Sequence, residues 1–157
     1  MCGRPIAGHT VSEADGFSVT IRSVHVERPD LPAEVEAVIN APTPMGMNPS
    51  EIYPTVLVLR DGVVVGPGRM KSRMLREPLW GPRYEWPAVE RQRATEGLCD
   101  DTWANVWAHP SRYELAVVMT PPRTGPATGS PVTTEDDLGD RPVLIAKARL
   151  SDIPVRP

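Results

Sequence analysis

Thr55-Val56-Leu57-Val58-Leu59-Arg60-Asp61-Gly62-Val63-Val64-Val65-Gly66 is the stretch that decides the fold class. Two runs rich in β-branched residues flank Asp61-Gly62, the pair that most readily takes the two positive φ angles of a type I′ turn. A two-residue loop sets Arg60 opposite Val63, Leu59 opposite Val64 and Val58 opposite Val65. Side chains alternate along a strand, so Leu59 and Val64 share one face while Val58, Val65, Arg60 and Val63 share the other. Both faces are largely apolar, which predicts a central hairpin covered on both sides rather than a solvated edge. An isolated hairpin is marginal in water, so further strands must pack around it.

The rest of the composition agrees. The chain has 157 residues, enough for one domain with a real core. Its 19 prolines are more than twice the usual share of about 5%, which argues against a helical bundle and for short strands joined by rigid turns. A formal net charge of −3 gives no global basic field, so nucleic acid is not the expected partner. No apolar run approaches the roughly 20 residues needed to span a bilayer, and Met1-Cys2-Gly3-Arg4 lacks the apolar core of a signal peptide.

Outward from the hairpin, residues 1–14 are polar, contain Gly and Pro, and read as a flexible tether to a single domain over 15–157. Phe17 to Arg28 reads as the first strand, with Phe17, Val19 and Ile21 on one parity and Val24 and Val26 on the other. That phase flip near Arg22-Ser23 requires a bulge or a passage from one sheet to another. Asp30 to Ala41 fits a helix through Leu31, Val35, Val38 and Ile39, or a strand through Val35, Ala37 and Ile39 with Glu34 and Glu36 outward. The all-β context favours the strand. Pro87 could open a short helix through Ala94, ended by Gly97. Thr102 to Ala108 and Tyr113 to Thr120 read as a second hairpin, with Trp103 and Trp107 on one parity and therefore in the core. Val143 to Leu150 alternates Leu144, Ala146, Ala148 and Leu150 against outward Lys147 and Arg149. Strands at this spacing, without βαβ alternation, predict an all-β, immunoglobulin-like β-sandwich with a long Pro-, Arg- and aromatic-rich insertion.

Two resemblances follow from particular residues. Leu59 to Gly66 and Arg112 to Leu115 are similar to the "LRDGxVVG" hairpin and "RYEL" strand of immunoglobulin-like modules in secreted actinobacterial proteins. Cys2-Gly3 with its polar lead resembles the start of mature lipoproteins of high-GC Gram-positive bacteria. That resemblance implies lipidation of Cys2 and a membrane-anchored, extracytoplasmic location, with Met1 standing where a leader was removed. Met1-Cys2-Gly3-Arg4, Asn40-Ala41-Pro42-Thr43 and Arg83-Tyr84-Glu85-Trp86 also resemble segments of the SOS-response-associated peptidase family, which crosslinks abasic DNA through an N-terminal cysteine. The chain departs from that family: a strand pattern begins by Phe17 where the family has a helix, and the His-x-Arg-Met-Pro motif has no counterpart. Were Met1-Cys2 the native start, the location would be cytoplasmic.

The candidate partner-binding residues are Arg69, Arg73, Arg76, Trp80, Arg83, Tyr84 and Trp86, within an Arg-rich run that continues to Arg91 and Arg93. Flat aromatic faces stack on sugars or bases, and guanidinium groups pair with carboxylates or phosphates. The competing reading is that Trp80 and Trp86 cap the core. His9, His25 and His109 show no metal-binding spacing, and a site from His25, His109 and Cys99 is remote. Glu135, Asp136, Asp137 and Asp140 lack calcium-loop spacing, and no GxSxG stretch marks a nucleophile. With Cys2 acylated, Cys99 is a lone thiol of the kind more often buried than reactive; with Cys2 free in an oxidising compartment, Cys2 and Cys99 could pair as a disulfide. The sequence therefore predicts a non-enzymatic, extracytoplasmic interaction module needing no cofactor or metal, with a protein or cell-envelope polymer as partner and the membrane reached only through a lipid. The alternatives are a structural protein of a phage or surface assembly and, behind it, the DNA-crosslinking enzyme.

Overall fold

The computed structural model describes residues 2–6, 10–14, 16–40, 54–66, 87–94, 97–119 and 143–156. They form two sheets. The first runs β1 (Thr10–Val11), β9 (Val143–Arg149), β8 (Tyr113–Met119), β5 (Thr55–Arg60) and β6 (Val63–Gly66), side by side in that order. The second runs β10 (Val155–Arg156), β3 (Phe17–His25), β4 (Glu34–Asn40) and β7 (Ala88–Arg93), with β2 (Glu13–Ala14) against the start of β3. Pairing is antiparallel except where β1 meets β9 and β10 meets β3.

The β5–β6 hairpin forms as its sequence dictates. Asp61 and Gly62 take φ of 53° and 78°, the two positive angles of the turn. Arg60 faces Val63 and Leu59 faces Val64. Val58 faces Gly66 rather than Val65, because the register shifts by one between Val58 and Leu59. Both faces are covered. Val58 and Val65 enter the main core, while Leu57, Leu59 and Val64 join Ala116 in a second cluster on the opposite face, against which Ile6, Val118 and Ile145 pack.

The main core draws Phe17, Val19 and Val24 from β3 and Val35, Ala37 and Ile39 from β4. Val56 and Val58 of β5, Leu115 and Val117 of β8 and Leu144 of β9 meet them from the other sheet. The two sheets thus close over one apolar interior. The phase flip in β3 is a bulge: Ile21 opposes Ala37 and Ser23 opposes Glu36, leaving Arg22 as the extra residue. That insertion lets both Ile21 and Val24 meet the core, three positions apart. The strand stays within its sheet.

Three expectations are corrected. Residues 1–14 are not simply a tether. Gly3 N–H donates to Val64 O (2.8 Å) and Val64 N–H to Arg4 O (2.9 Å), and β1 and β2 are strands of the sheets. The segment after Pro87 is not a helix but β7, paired along its length with β4. Thr102 to Ala108 is not a strand but contains α1 (Trp103–Ala108), with Thr102 as its N-cap accepting from Asn105 N–H. Trp103 is buried, and Trp107 packs on the core while its indole N–H donates to Leu31 O (3.1 Å). A separation of four residues satisfies strand parity and helical period alike, so burial of Trp103 and Trp107 was legible while the element was not.

Candidate functional site

The outer face of the second sheet carries the charge. Glu34 and Glu36 alternate outward from the apolar Val35, Ala37 and Ile39 of β4. Strand pairing then sets Ser23 and Arg91 on either side of Glu36, and His25 and Arg93 on either side of Glu34. The parallel pairing of β10 brings Arg156 beside His25. The bulge residue Arg22 reaches the same carboxylate, with Nε 3.5 Å from Glu36 Oε1. Arg91 Nε donates to Glu36 Oε2 at 3.3 Å, and Arg156 Nη1 stands 4.0 Å from Oε1.

Glu36 is the deep member of this group. Its side chain is 10% exposed, against 51%, 70% and 55% for Arg22, Arg91 and Arg156. A carboxylate so removed from water needs paired charge and hydrogen-bond donors. The three guanidinium groups supply the charge, yet Oε1 receives no hydrogen bond. Around it lies an open depression of about 190 Å³ lined by Ser23, His25, Glu34, Glu36, Arg91 and Arg156. Ser23 is small, which leaves this space above the middle of the sheet. His25 Nδ1 lies 3.1 Å from Arg156 O. A carbonyl only accepts, so Nδ1 carries the hydrogen of this bond.

A second polar cluster sits where β7 crosses over to β8. Asp101, with a side chain only 2% exposed, accepts from Tyr113 Oη (2.6 Å), Asn105 Nδ2 (2.8 Å), Thr102 N–H (2.8 Å) and Arg60 Nη1 (3.0 Å). Burial by itself would raise its pKa. The hydrogen bonds from Tyr113, Asn105 and Thr102, with the Arg60 charge, outweigh burial and hold the carboxyl below its ordinary value. Burial and the bond to Asp101 push Tyr113 up. Both Asp101 oxygens accept from groups of the fold, which ties Arg60, Thr102, Asn105 and Tyr113 to one carboxylate.

Cys2 is joined to Cys99 in a disulfide, with Cα atoms 6.1 Å apart and a sequence separation of 97. One sulfur cannot carry both this bond and a lipid thioether. Arg69, Arg73, Arg76, Trp80, Arg83, Tyr84 and Trp86 lie outside the described residues, as do His9 and the acidic run from Glu135 to Asp140. Of the Arg-rich run, Arg91 and Arg93 are described, and Arg91 belongs to the Glu36 cluster. His109 caps α1, its Nδ1 3.2 Å from Asn105 O. Among the described residues no three His, Cys, Asp or Glu side chains gather as a metal site. The outward position of Glu36 was readable in the alternation of β4. Its partners were not, since they come from β3, β7 and β10. No family model, curated protein or solved structure matches the chain.

Proposed function

We propose that this chain is an extracytoplasmic, non-enzymatic binding module of immunoglobulin-like architecture, fastened by its own disulfide, that meets a protein or cell-envelope polymer through the charged face around Glu36. The observation that carries the reading is the Cys2–Cys99 bond. Disulfides persist in oxidising compartments and are rare where thiol reductants prevail. A nucleophilic cysteine must be a free thiolate, so the same bond counts against the DNA-crosslinking reading. Anchoring by a lipid on Cys2 gives way to the disulfide for the reason of valence stated above.

The finer architecture has two supports. The order β3-β4-β7 opposite β9-β8-β5-β6 follows that of immunoglobulin-type sandwiches, in which strands A, B and E face G, F, C and C′. Tyr113 stands at the start of the F-like strand and its hydroxyl reaches back across the connection from the E-like strand, the position of a tyrosine corner. Here the acceptor is the Asp101 carboxylate instead of a backbone carbonyl.

The test is the state of the two sulfurs in protein recovered from its source cells. Fractions are alkylated without reductant and the intact mass is read. The expected result is protein in the envelope or medium fraction, unalkylated, and lighter than the reduced chain by one pair of hydrogens. Cytoplasmic protein alkylated at both Cys2 and Cys99 would refute the compartment. A diacylglyceryl adduct on Cys2 with Cys99 alkylated would replace the disulfide by the anchor.

A further inference from the structure

We propose that the N-terminal segment exchanges between two copies of the chain, so that residues 2–6 of each lie on the first sheet of the other and Cys2 of each bonds to Cys99 of the other. This goes beyond the binding reading and depends neither on the compartment nor on the charged face around Glu36.

The segment is held by groups of the domain body. Gly3 N–H donates to Val64 O and Arg4 O accepts from Val64 N–H. Ile6 packs on the outer-face cluster of Leu57, Leu59, Val64 and Ala116, and Cys2 is bonded to Cys99. A second copy carries the same edge, the same cluster and the same Cys99. Each of these contacts can therefore be remade between copies, which is the condition for exchanging an identical element.

The reach also fits. Residues 3 and 4 stand at the β6 edge of the first sheet, whereas β1, the next strand along the chain, stands at the opposite edge beside β9. Within one copy the chain must bridge the three spacings from β9 to β6, about 14 Å in all. Two copies related by a two-fold axis along the strands, outer faces together, set β6 of each over β9 of the other. Stacked sheets lie about 10 Å apart, so the crossing between copies is no longer than the crossing within one. Beside the cluster, Val118 and Ile145 are only partly buried, and a second copy on this face would cover them.

The covalent step is thiol–disulfide exchange, and it consumes no oxidant. Cys2 and Cys99 are half-buried, within reach of a small thiol. Its thiolate attacks Cys99 Sγ, forming a mixed disulfide, and Cys2 leaves as a thiolate. The Cys2 thiolate of one copy then attacks Cys99 Sγ of another and expels the small thiolate. Once both copies have reacted, two S–S bonds within chains have become two between chains and the thiol is returned. Within one copy the tether gives the segment a high effective concentration, so the exchanged form gains only as protein concentration rises.

The test mixes equal amounts of unlabelled and ¹⁵N-labelled full chain, both oxidised, at about millimolar concentration with a catalytic amount of glutathione. After acid quench and alkylation, dimer and monomer are separated by size and the disulfide-linked peptides are weighed. The expected result is a dimer whose share grows with protein concentration. Its Cys2–Cys99 peptides should pair light with heavy as often as like with like. Hydrogen exchange on the isolated dimer should find the Val64 amide as protected as in the monomer, because Arg4 O of the other copy now accepts from it. Dimers joined Cys2 to Cys2 or Cys99 to Cys99 would be random cross-links and would overturn the proposal, as would dimers in which the Val64 amide has lost its protection. Monomer alone after full reduction and reoxidation by oxidised glutathione at that concentration would also overturn it, since this route does not need a thiol to reach the folded bond. In each case the compartment reading, tested on protein from its source cells, stands apart.

Discussion

Asp101 is a charge held almost entirely out of water, and its four donors decide what it does. Removing one donor leaves part of the desolvation cost uncompensated, and hydrogen bonds to charged groups contribute about 1.5–3 kcal/mol each. Tyr113→Phe deletes the 2.6 Å bond to Asp101 and the 2.8 Å bond that the hydroxyl accepts from Asn105 Nδ2 while keeping the fully buried ring. It is expected to lower unfolding free energy by about 1.5–3 kcal/mol at neutral pH in denaturant titrations. The pH dependence has a definite sign. The folded Asp101 has a pKa below the ordinary 3.8, so its stabilisation is complete above that value and is lost as pH falls through the folded one. Tyr113 is raised above 10.0, so its contribution holds below that value and is lost as pH rises through the folded one. The gap between wild type and Tyr113→Phe should therefore be widest between these limits and narrow under acid. A gap unchanged in acid would show that the bond the hydroxyl accepts from Asn105 Nδ2, and not the carboxylate, sets the cost.

At the scale of elements, α1 is a short helix whose formation depends on local chemistry at its first turn. Six residues are too few for propensity to hold a helix in water, so the Thr102 cap and the burial of Trp103 and Val106 must stabilise it together. Thr102→Ala removes the side-chain acceptor of Asn105 N–H at 3.2 Å and is expected to cost about 1 kcal/mol in thermal or chemical unfolding. Thr102→Ser, which keeps the acceptor, should recover most of that loss. A Ser variant as weak as the Ala variant would mean that the threonine methyl matters instead. The same elements show what sequence can and cannot convey. The β5–β6 hairpin was legible because turn and pairing lie within twelve residues, and β4 because Glu34 and Glu36 alternate with Val35, Ala37 and Ile39. The segment after Pro87 misled because Pro87 and Gly97 stand where helix-end residues stand. Its pairing with β4, from Ile39 with Ala88 to Glu34 with Arg93, overrides that local signal from far along the chain. The Glu36 cluster was hidden for the same reason, since four strands must pair before its charges meet.

At the scale of the whole molecule, the disulfide closes a loop that runs through most of the chain. Cys99 N–H donates to Val65 O (2.7 Å), while Gly3 and Arg4 exchange hydrogen bonds with Val64. The N-terminal segment thus covers the outer edge of β6, which would otherwise present unpaired backbone groups. Ile6 follows it onto the second cluster. A cross-link with 97 positions of separation restricts the unfolded ensemble more than a short one. In the chain-entropy model it contributes about 4.7 kcal/mol at most, and native disulfides commonly measure about 2–5 kcal/mol. The double variant Cys2→Ser/Cys99→Ser is expected to fold with stability reduced by about 2–4 kcal/mol. Its effect on hydrogen exchange should be uneven. The Val64 amide, bonded to Arg4 O, should lose protection well beyond the global change as the segment frays, whereas Leu115 and Val117 in the core should follow the global change alone. If Val64 and Val117 lost protection equally, the bond would act only through the unfolded chain and the edge would stay covered without it. Unequal loss would make the cross-link a clasp that keeps the edge of the first sheet from pairing with other chains.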